Sequence, residues 1–178
     1  MHAPHRQLPR FSEMIYWRLL RTICHLCVGL LTCAVIFPWI GAAGRTLHVQ
    51  RWSLRLLKIC RVRVEVINPH GAGSAVRALI VANHVSWLDI FVINAFEPCR
   101  FVAKADIRDW PLIGWLCAKT GTIFIARGRL RDVRRIYQQL VASLAAGERI
   151  AVFPEGTTAA QGELLPFHAN LLLSLIHI

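Results

Sequence analysis

The chain has 178 residues, a length typical of a single domain. Apolar residues make up 55% of it, a high share for a soluble protein, and its formal net charge is +11. No reader motif or basic face with stacking aromatic residues accompanies this charge, so the sequence argues against a nucleic-acid partner. We expect the cations to contact anionic membrane lipids or to form solvated helix faces.

Residues 14–43 form a predicted membrane segment after a polar N-terminal tail. Within it, residues 23–43 contain no charged side chain and are numerous enough to cross a bilayer. We expect a membrane anchor within residues 1–44 that is retained rather than cleaved as a signal peptide. Cations are more frequent after the segment than before it, which predicts a main domain at 45–178 on the cytoplasmic side. Basic residues on both flanks also suit a hairpin, so the sequence leaves a full span and a hairpin open.

The six cysteines are predicted to be reduced, buried thiols. Cys24 and Cys27 have the spacing of a redox or zinc pair, but no second pair follows at zinc-finger spacing. Free cysteine commonly behaves as a small apolar residue, and reduced thiols fit a cytoplasmic domain. We therefore expect no metal site.

Strands and helices alternate along the rest of the chain. Residues 46–60 carry apolar side chains with cations between them, which predicts an amphipathic helix at the membrane surface. Residues 61–67 alternate charged and apolar side chains, the pattern of a half-exposed strand. The order of elements predicts an α/β fold, a layered mixed sheet with flanking helices, preceded by an N-terminal membrane-associated helical segment. Further strands are predicted at 78–82, 100–104, 121–126 and 149–153, and helices at 87–96, 110–118, 130–146 and from about 166.

The turn after the strand at 78–82 carries a histidine and an acid. His84 and Asp89 lie at the strand end, where open α/β sheets place their ligands. Asp89 in the first turn of a helix would point back toward His84, because helical side chains tilt toward the N-terminus. A histidine oriented by a carboxylate could take a proton from a substrate hydroxyl. The alternative is structural, since Ser86 and Asp89 also fit the two ends of an acidic capping box.

Two later stretches extend this pattern. Residues 121–127 are a short β-rich run that ends in a cation, and residues 150–157 are a second run that ends in the sequence Pro-Glu-Gly-Thr. With the spacing of the histidine and the acid, they resemble in order and spacing the motifs of the glycerolipid acyltransferase family. The resemblance is to its 1-acylglycerol-3-phosphate acyltransferase branch in particular, and it covers residues 78–170.

The resemblance implies a role for each motif residue. His84 would be the general base and Asp89 its orienting acid, while Arg127 would bind phosphate. Lys104 ends the strand at 100–104 and could face the same cleft, although a surface lysine needs no such role. The acceptor-binding turn would be formed by Glu155, Gly156 and Thr157.

One position departs from the family pattern. Thr158 stands where the family commonly has arginine, which removes a potential bidentate partner for phosphate. The run that contains it resembles a bacterial subgroup, some members of which acylate lyso-ornithine lipids. The departure leaves the chemistry of acyl transfer unaffected and leaves the identity of the acceptor open.

The resemblance implies a 1-acyl-sn-glycerol-3-phosphate O-acyltransferase of phospholipid biosynthesis, bound to the bacterial inner membrane and active on its cytoplasmic face. Its acyl donor would be acyl-CoA or acyl-carrier protein, its acceptor would be a lysophospholipid, and it would need no cofactor. One alternative is a lyso-ornithine lipid or other lysolipid acyltransferase. Another is a catalytically inactive lipid-binding membrane protein.

Two apolar stretches outside these motifs carry further expectations. Residues 110–115 are apolar and interrupted, so they could line an acyl-chain groove, lie on lipid or pack in the core. Residues 170–178 are apolar and stop without a helix cap or a polar exit, whereas the resembled family continues into another strand. The sequence therefore predicts an acyltransferase domain that is incomplete at its C-terminus.

Overall fold

The fold consists of a helical hairpin followed by a parallel sheet with helices around it. The computed structural model describes residues 11–67, 77–125 and 130–167. The second helix of the hairpin begins at Ala42, four residues before the start that the sequence pattern predicts. The hairpin consists of helix α1 (Phe11–Leu31), a π-helical turn (Thr32–Ile36), a 3-10 turn (Phe37–Trp39) and helix α2 (Ala42–Ile59).

A reciprocal histidine–tryptophan pair joins the two helices of the hairpin. The rings of His25 and Trp52 stack with their centroids 4.5 Å apart. His25 Nε2–H donates to the Trp52 carbonyl at 2.9 Å, and Trp52 Nε1–H donates to the His25 carbonyl at 3.0 Å. Gly29 lies against the same indole, where a Cβ atom would be 2.7 Å from Nε1. Since Phe37 also approaches His48, the two helices run antiparallel. Whether residues 23–43 span the membrane or form a hairpin within it stays a prediction.

The hairpin exposes most of its apolar side chains. The stretch Met14–Trp39 has 26 residues and is long and apolar enough, by length and composition, to cross a membrane. Trp39 at the end of this stretch is 87% exposed, and Trp17 near its start is 61% exposed. Exposed apolar surface of this extent is typical of a protein that contacts lipid or another apolar partner.

Four parallel strands form the sheet of the described residues, in the order β1-β4-β2-β3. Val81 pairs with Val152 and Phe101 pairs with Ala151, so β4 lies between β1 and β2. The predicted layered α/β architecture is confirmed, and the crossover helices explain why consecutive strands can run parallel. The strands are β1 (Ala78–Val81), β2 (Arg100–Lys104), β3 (Ile123–Ile125) and β4 (Arg149–Val152); the helices are α3 (Asp89–Phe96), α4 (Ile113–Lys119) and α5 (Leu130–Ala145).

The structure differs from the sequence-based expectation at two segments. Residues 62–67 form no strand, although Val62 and Val64 are half-buried between exposed neighbours as the alternation predicts. A strand needs a partner for its ladder hydrogen bonds, and these residues pair with none of the four strands above. Residues 163–167 are not helical, and the rest of the helix predicted from about 166 lies outside the described residues. The domain boundary between residues 44 and 45 stays a prediction.

Arg100 joins three elements at the amino-terminal edge of the sheet. Its Nε–H donates to the Gly121 carbonyl at 2.7 Å, and its Nη1 donates to Ser143 Oγ at 2.6 Å and to Glu148 Oε2 at 2.8 Å. Burial acts to raise the pKa of the Glu148 carboxyl, but the hydrogen bonds from Arg100 and Ser143 outweigh it and hold the pKa below its ordinary value. Arg100 therefore links the starts of β2 and β4 to α5 and to the turn before β3.

The core lies between β4 and α5. Ile150 and Val152 of β4 are fully buried, and Ile123 of β3 and Leu140 of α5 pack with them. Burial of such aliphatic side chains stabilises a fold by about 1.5–3 kcal/mol each. The strand that precedes the Pro-Glu-Gly-Thr turn is thus the most deeply buried part of the sheet.

Ile150→Ala should lower the free energy of unfolding by about 2–5 kcal/mol, because it opens a cavity at the centre of the sheet. Ile150→Val removes only one carbon and should cost about 0.5–1.5 kcal/mol. Unfolding of the detergent-solubilised protein, followed by circular dichroism, would measure both changes. Equal unfolding midpoints for the wild type and both variants would contradict this position of the core.

Candidate active site

The carboxyl ends of the parallel strands bring the predicted site residues to one edge of the sheet. His84 follows β1, Glu155 follows the neighbouring β4, and Lys104 is the last residue of β2. The Ala82 N–H donates to the Val152 carbonyl at 3.2 Å, so the chain after β1 stays beside β4 almost as far as His84. This edge is where ligands bind in open α/β sheets.

A single carboxylate oxygen of Asp89 organises the turn between β1 and α3. Asp89 Oδ2 accepts hydrogen bonds from His84 Nδ1 at 3.0 Å, from the Val85 N–H at 2.8 Å and from the Ser86 N–H at 2.9 Å. Ser86 Oγ in turn accepts from the Leu88 N–H at 3.2 Å. Asp89 therefore contacts the imidazole of His84 and also holds the turn before α3. The helix begins at Asp89 with Leu88 as its N-cap and no side-chain cap, so Ser86 is not the N-cap that the capping box predicts. The role of His84 as a base stays a prediction.

This contact fixes which nitrogen of His84 can act as a base. A carboxylate can only accept hydrogen bonds, so Nδ1 carries the proton and Nε2 keeps its lone pair. Nε2 makes no hydrogen bond to any residue that the structure describes, and the His84 side chain is 17% exposed. Nε2 is therefore the nitrogen that can accept a proton, and it belongs to a side chain that is mostly buried but partly accessible.

Two stacked phenylalanine rings support the imidazole ring of His84. The rings of His84 and Phe153 lie 4.1 Å apart and 17° from parallel, and Phe101 stacks on the other face of Phe153 at 5.8 Å. The Ala159 N–H donates to the His84 carbonyl at 2.7 Å, which ties the segment after β4 to the same histidine. The sequence analysis missed Phe153. Its only signal was an aromatic side chain directly before the Pro-Glu-Gly-Thr turn.

Glu155 is buried without a hydrogen-bond partner. The residue is 3% exposed, and neither of its carboxylate oxygens has a hydrogen-bond partner among the described residues. Buried polar groups are nearly always paired, so this carboxylate points to a missing donor. Gly156 has a φ of +69°, a conformation that a side chain would strain. Thr157 and Thr158 are exposed, so the turn buries its acid and presents its hydroxyl groups outward.

Of the two predicted cations, Lys104 lies among the residues that the structure describes. Lys104 is exposed at the end of β2, where it pairs with Ile125, the last residue of β3. Arg127, the predicted phosphate ligand, lies outside the described residues. The geometry therefore brings His84, Asp89 and the Pro-Glu-Gly-Thr turn together, and it places Lys104 on the same edge.

The cysteines offer no reactive or metal-binding cluster in the part of the chain that the structure describes. No group of three or more His, Cys, Asp or Glu side chains there could hold a metal ion. Burial raises the pKa of the Cys99 thiol to about 12, which makes it a poor nucleophile. The six thiols are free, but Cys24 and Cys27 are exposed on α1, so the prediction that the cysteines are buried is wrong for these two.

The apolar stretch at 110–115 lies mostly on the surface. Trp110 is 57% exposed, Leu112 is 65% exposed and Ile113 is 45% exposed, so the core-packing interpretation is wrong for these side chains. Gly114 is the buried residue of this stretch. A side chain does not fit at this position, because a Cβ atom there would clash with the Arg108 carbonyl oxygen. The remaining interpretations are contact with an acyl chain and contact with lipid.

Known proteins with similar sequences are lipid acyltransferases. The lyso-ornithine lipid O-acyltransferase of Pseudomonas aeruginosa is 41% identical over 129 residues, which cover 72% of this chain and 49% of that protein. The 1-acyl-sn-glycerol-3-phosphate acyltransferase of Neisseria gonorrhoeae is 43% identical over 98 residues, which cover 55% of this chain and 38% of that protein. This chain thus spans about half or less of the length of these two relatives.

The fold is also that of a solved acyltransferase. The crystal structure of the 1-acyl-sn-glycerophosphate acyltransferase from Thermotoga maritima matches with a TM-score of 0.62 at 21% identity, covering 90% of this chain and 71% of that one. The sequence model of the acyltransferase family matches residues 63–177, a range that includes His84, Asp89 and Glu155. Because this match extends over most of the chain, the protein belongs to the acyltransferase family.

Proposed function

We propose that this protein transfers a fatty acyl group from a thioester donor to the hydroxyl of a lysolipid, as a 1-acyl-sn-glycerol-3-phosphate O-acyltransferase. The observation that carries the proposal is the His84–Asp89 pair, whose 3.0 Å contact leaves Nε2 as the basic nitrogen. A base held this way serves a substrate hydroxyl directly, without a covalent intermediate on the enzyme. The intact pair also favours an enzyme over a catalytically inactive lipid-binding protein.

In the proposed mechanism, Nε2 of His84 removes the hydroxyl proton as the acceptor oxygen attacks the thioester carbonyl. Asp89 stabilises the imidazolium that forms, and Phe153 holds the ring in its plane. Collapse of the tetrahedral intermediate breaks the carbon–sulfur bond, and the imidazolium returns the proton to the thiolate. The products are the diacylated lipid and the free thiol of coenzyme A or acyl-carrier protein. All of these steps proceed without a metal or a cofactor.

Glu155, Gly156 and Thr157 are the proposed acceptor-binding turn. The unpaired carboxylate of Glu155 would accept a hydrogen bond from a donor on the acceptor or on its phosphate-binding cations. Arg127 and Lys104 would bind the phosphate from the side of β3 and β2. Their charge would offset the repulsion between a phosphate and the carboxylates of this edge.

A lyso-ornithine lipid acyltransferase is the second candidate function. Thr158, exposed beside the turn, supplies no guanidinium for phosphate, and the Pseudomonas relative named above is a lyso-ornithine lipid O-acyltransferase. The relatives at 41% and 43% identity carry the two different acceptor names, so their names support both candidates.

We place the enzyme at the bacterial inner membrane with its active domain on the cytoplasmic face. The apolar hairpin supports membrane attachment, since its stretch Met14–Trp39 leaves most of its apolar side chains exposed. Cations on the exposed side of α2, Arg51, Arg55 and Lys58, suit the anionic surface of the cytoplasmic leaflet.

His84→Ala should lower turnover by about 10²–10⁴-fold, because it removes the general base. Asp89→Asn should also lower turnover, since the amide no longer stabilises the imidazolium. Thiol release from acyl-CoA in the presence of lysophosphatidic acid measures both, and the protein should still sediment with membranes. Near-wild-type turnover of His84→Ala would show that the mechanism is wrong.

Phe153→Leu should lower kcat by roughly 2–10-fold with KM little changed, because a stacked pair contributes about 0.5–1.5 kcal/mol and the histidine loses its support. Phe101→Leu, one layer farther from the imidazole, is the matched control and should have the smaller effect. Steady-state kinetics with saturating donor would separate kcat from KM. A larger effect of Phe101→Leu would contradict the positioning role of Phe153.

Arg127→Ala should reduce kcat/KM for lysophosphatidic acid by roughly 10–150-fold, the loss expected for one charge-assisted hydrogen bond of about 1.5–3 kcal/mol. The KM of the thioester donor should change much less. Thr158→Arg, which restores the arginine of the family pattern, should improve the phosphate acceptor. Parallel assays with lyso-ornithine lipid test the second candidate. It replaces the first if the wild type uses only that acceptor and Thr158→Arg gains lysophosphatidic acid.

A further inference from the structure

A cavity of about 530 Å³ lies at the edge of the sheet opposite His84. Arg100 and Arg149, the first residues of β2 and β4, line it from the sheet. The start of α2 lines it from the hairpin, and Lys119 at the end of α4 closes another side. None of these residues belongs to the proposed acyl-transfer site, so the cavity needs its own explanation.

The cavity carries an excess of positive charge. Two of its cations are matched by acids: Arg100 pairs with Glu148 at 2.8 Å, and Arg149 pairs with Glu97 at 3.3 Å. The other two are not, since neither Arg45 nor Lys119 forms an ion pair with an acid in the described ranges. Both side chains are exposed, and an anion that entered the cavity would be attracted by both charges.

Arg45 is held so that its guanidinium end remains available. Its Nε–H donates to the Phe37 carbonyl at 3.0 Å and to the Ile40 carbonyl at 3.1 Å, across the turn of the hairpin. These bonds use Nε and leave the two terminal nitrogens for a ligand. Lys119 Nζ lies 5.8 Å from the Trp115 ring centroid, and its N–H donors make no hydrogen bond to any residue that the structure describes.

The N-terminus of α2 adds to the positive charge that lines the cavity. This helix has 18 residues, no side-chain cap at Gly41 and no acid in its first turn. Its first residues, Ala42 and Ala43, line the cavity together with Arg45. The unpaired N–H groups of a helix start carry a partial positive charge that favours anions, and here they supplement two full charges.

We propose that this cavity binds the phosphate group of an anionic membrane phospholipid, as a site separate from the acceptor site at His84. The hairpin supplies the reason for a lipid. Phe37 lines the cavity, and Trp39, two residues later in the same turn, is 87% exposed. A phospholipid can therefore place its phosphate between Arg45 and Lys119 and its acyl chains along the apolar hairpin. The bound lipid would tie the hairpin to the sheet. This inference does not depend on the proposed function.

The test measures the melting temperature of the full-length protein in uncharged detergent micelles. Phosphatidylglycerol or phosphatidylcholine is added at matched mole fractions, and a third series receives inorganic phosphate. The wild type should gain melting temperature with phosphatidylglycerol and not with the other two. Arg45→Gln with Lys119→Gln should weaken the apparent affinity for phosphatidylglycerol at least roughly tenfold, as expected for lost charge-assisted hydrogen bonds.

Arg63→Gln with Arg77→Gln is the matched control. It removes the same charge from exposed positions outside α2 that do not line the cavity, and its response to phosphatidylglycerol should match that of the wild type. If Arg45→Gln disturbs the hairpin turn, Lys119→Gln alone should still reduce the lipid-induced shift. An equal loss in the control pair would overturn the proposal in favour of diffuse attraction. So would equal shifts with both lipids, or the same shift with inorganic phosphate.

Discussion

The Asp89 carboxylate is the contact on which the candidate site depends. One oxygen accepts from the imidazole of His84 and from two backbone N–H groups of the turn that carries it. Hydrogen bonds to a charged group contribute about 1.5–3 kcal/mol each, more than neutral ones. The same bonds that fix the backbone after β1 therefore fix the tautomer and direction of the base. A change at Asp89 would disturb the local fold and the chemistry together.

The order of the strands supplies the second half of the site. Because β4 pairs directly with β1, the residue after β4 lies against the turn that follows β1, and Phe153 stacks on His84 at 4.1 Å. The buried side chains of Ile150 and Val152 hold β4 in this position. The candidate base, a histidine in a surface turn, is thereby supported by the most buried strand of the sheet, which limits how far its ring can move.

Local patterns predicted the elements well, and non-local contacts explain what they missed. The apolar runs gave all four strands, and the tilt of helical side chains gave the contact between His84 and Asp89. Strand pairing depends on distant partners, so the alternation at 61–67 was read as a strand that does not form. The stack of Phe153 on His84 joins residues far apart in sequence, and an aromatic residue before the Pro-Glu-Gly-Thr turn does not by itself identify its partner. The functional roles of all the site residues stay predictions: His84, Asp89, Lys104, Arg127, Glu155, Gly156 and Thr157.

The two acids at the candidate site, Asp89 and Glu155, differ in their hydrogen-bond partners, and the difference bears on the proposed acceptor. Asp89 Oδ2 receives three donors, whereas the two oxygens of Glu155 receive none from the described residues. An acceptor that brings its own donor would satisfy Glu155, and the side-chain ammonium of ornithine is such a donor. The one free hydroxyl of lysophosphatidic acid gives its proton to His84 in the proposed mechanism, so with that acceptor the donor to Glu155 would be a phosphate-binding cation. The phosphate acceptor additionally needs cations to offset the two acids, while the ornithine acceptor carries its own positive charge. The choice between them therefore rests on how much positive charge Arg127 and Lys104 supply in the absence of an arginine at position 158.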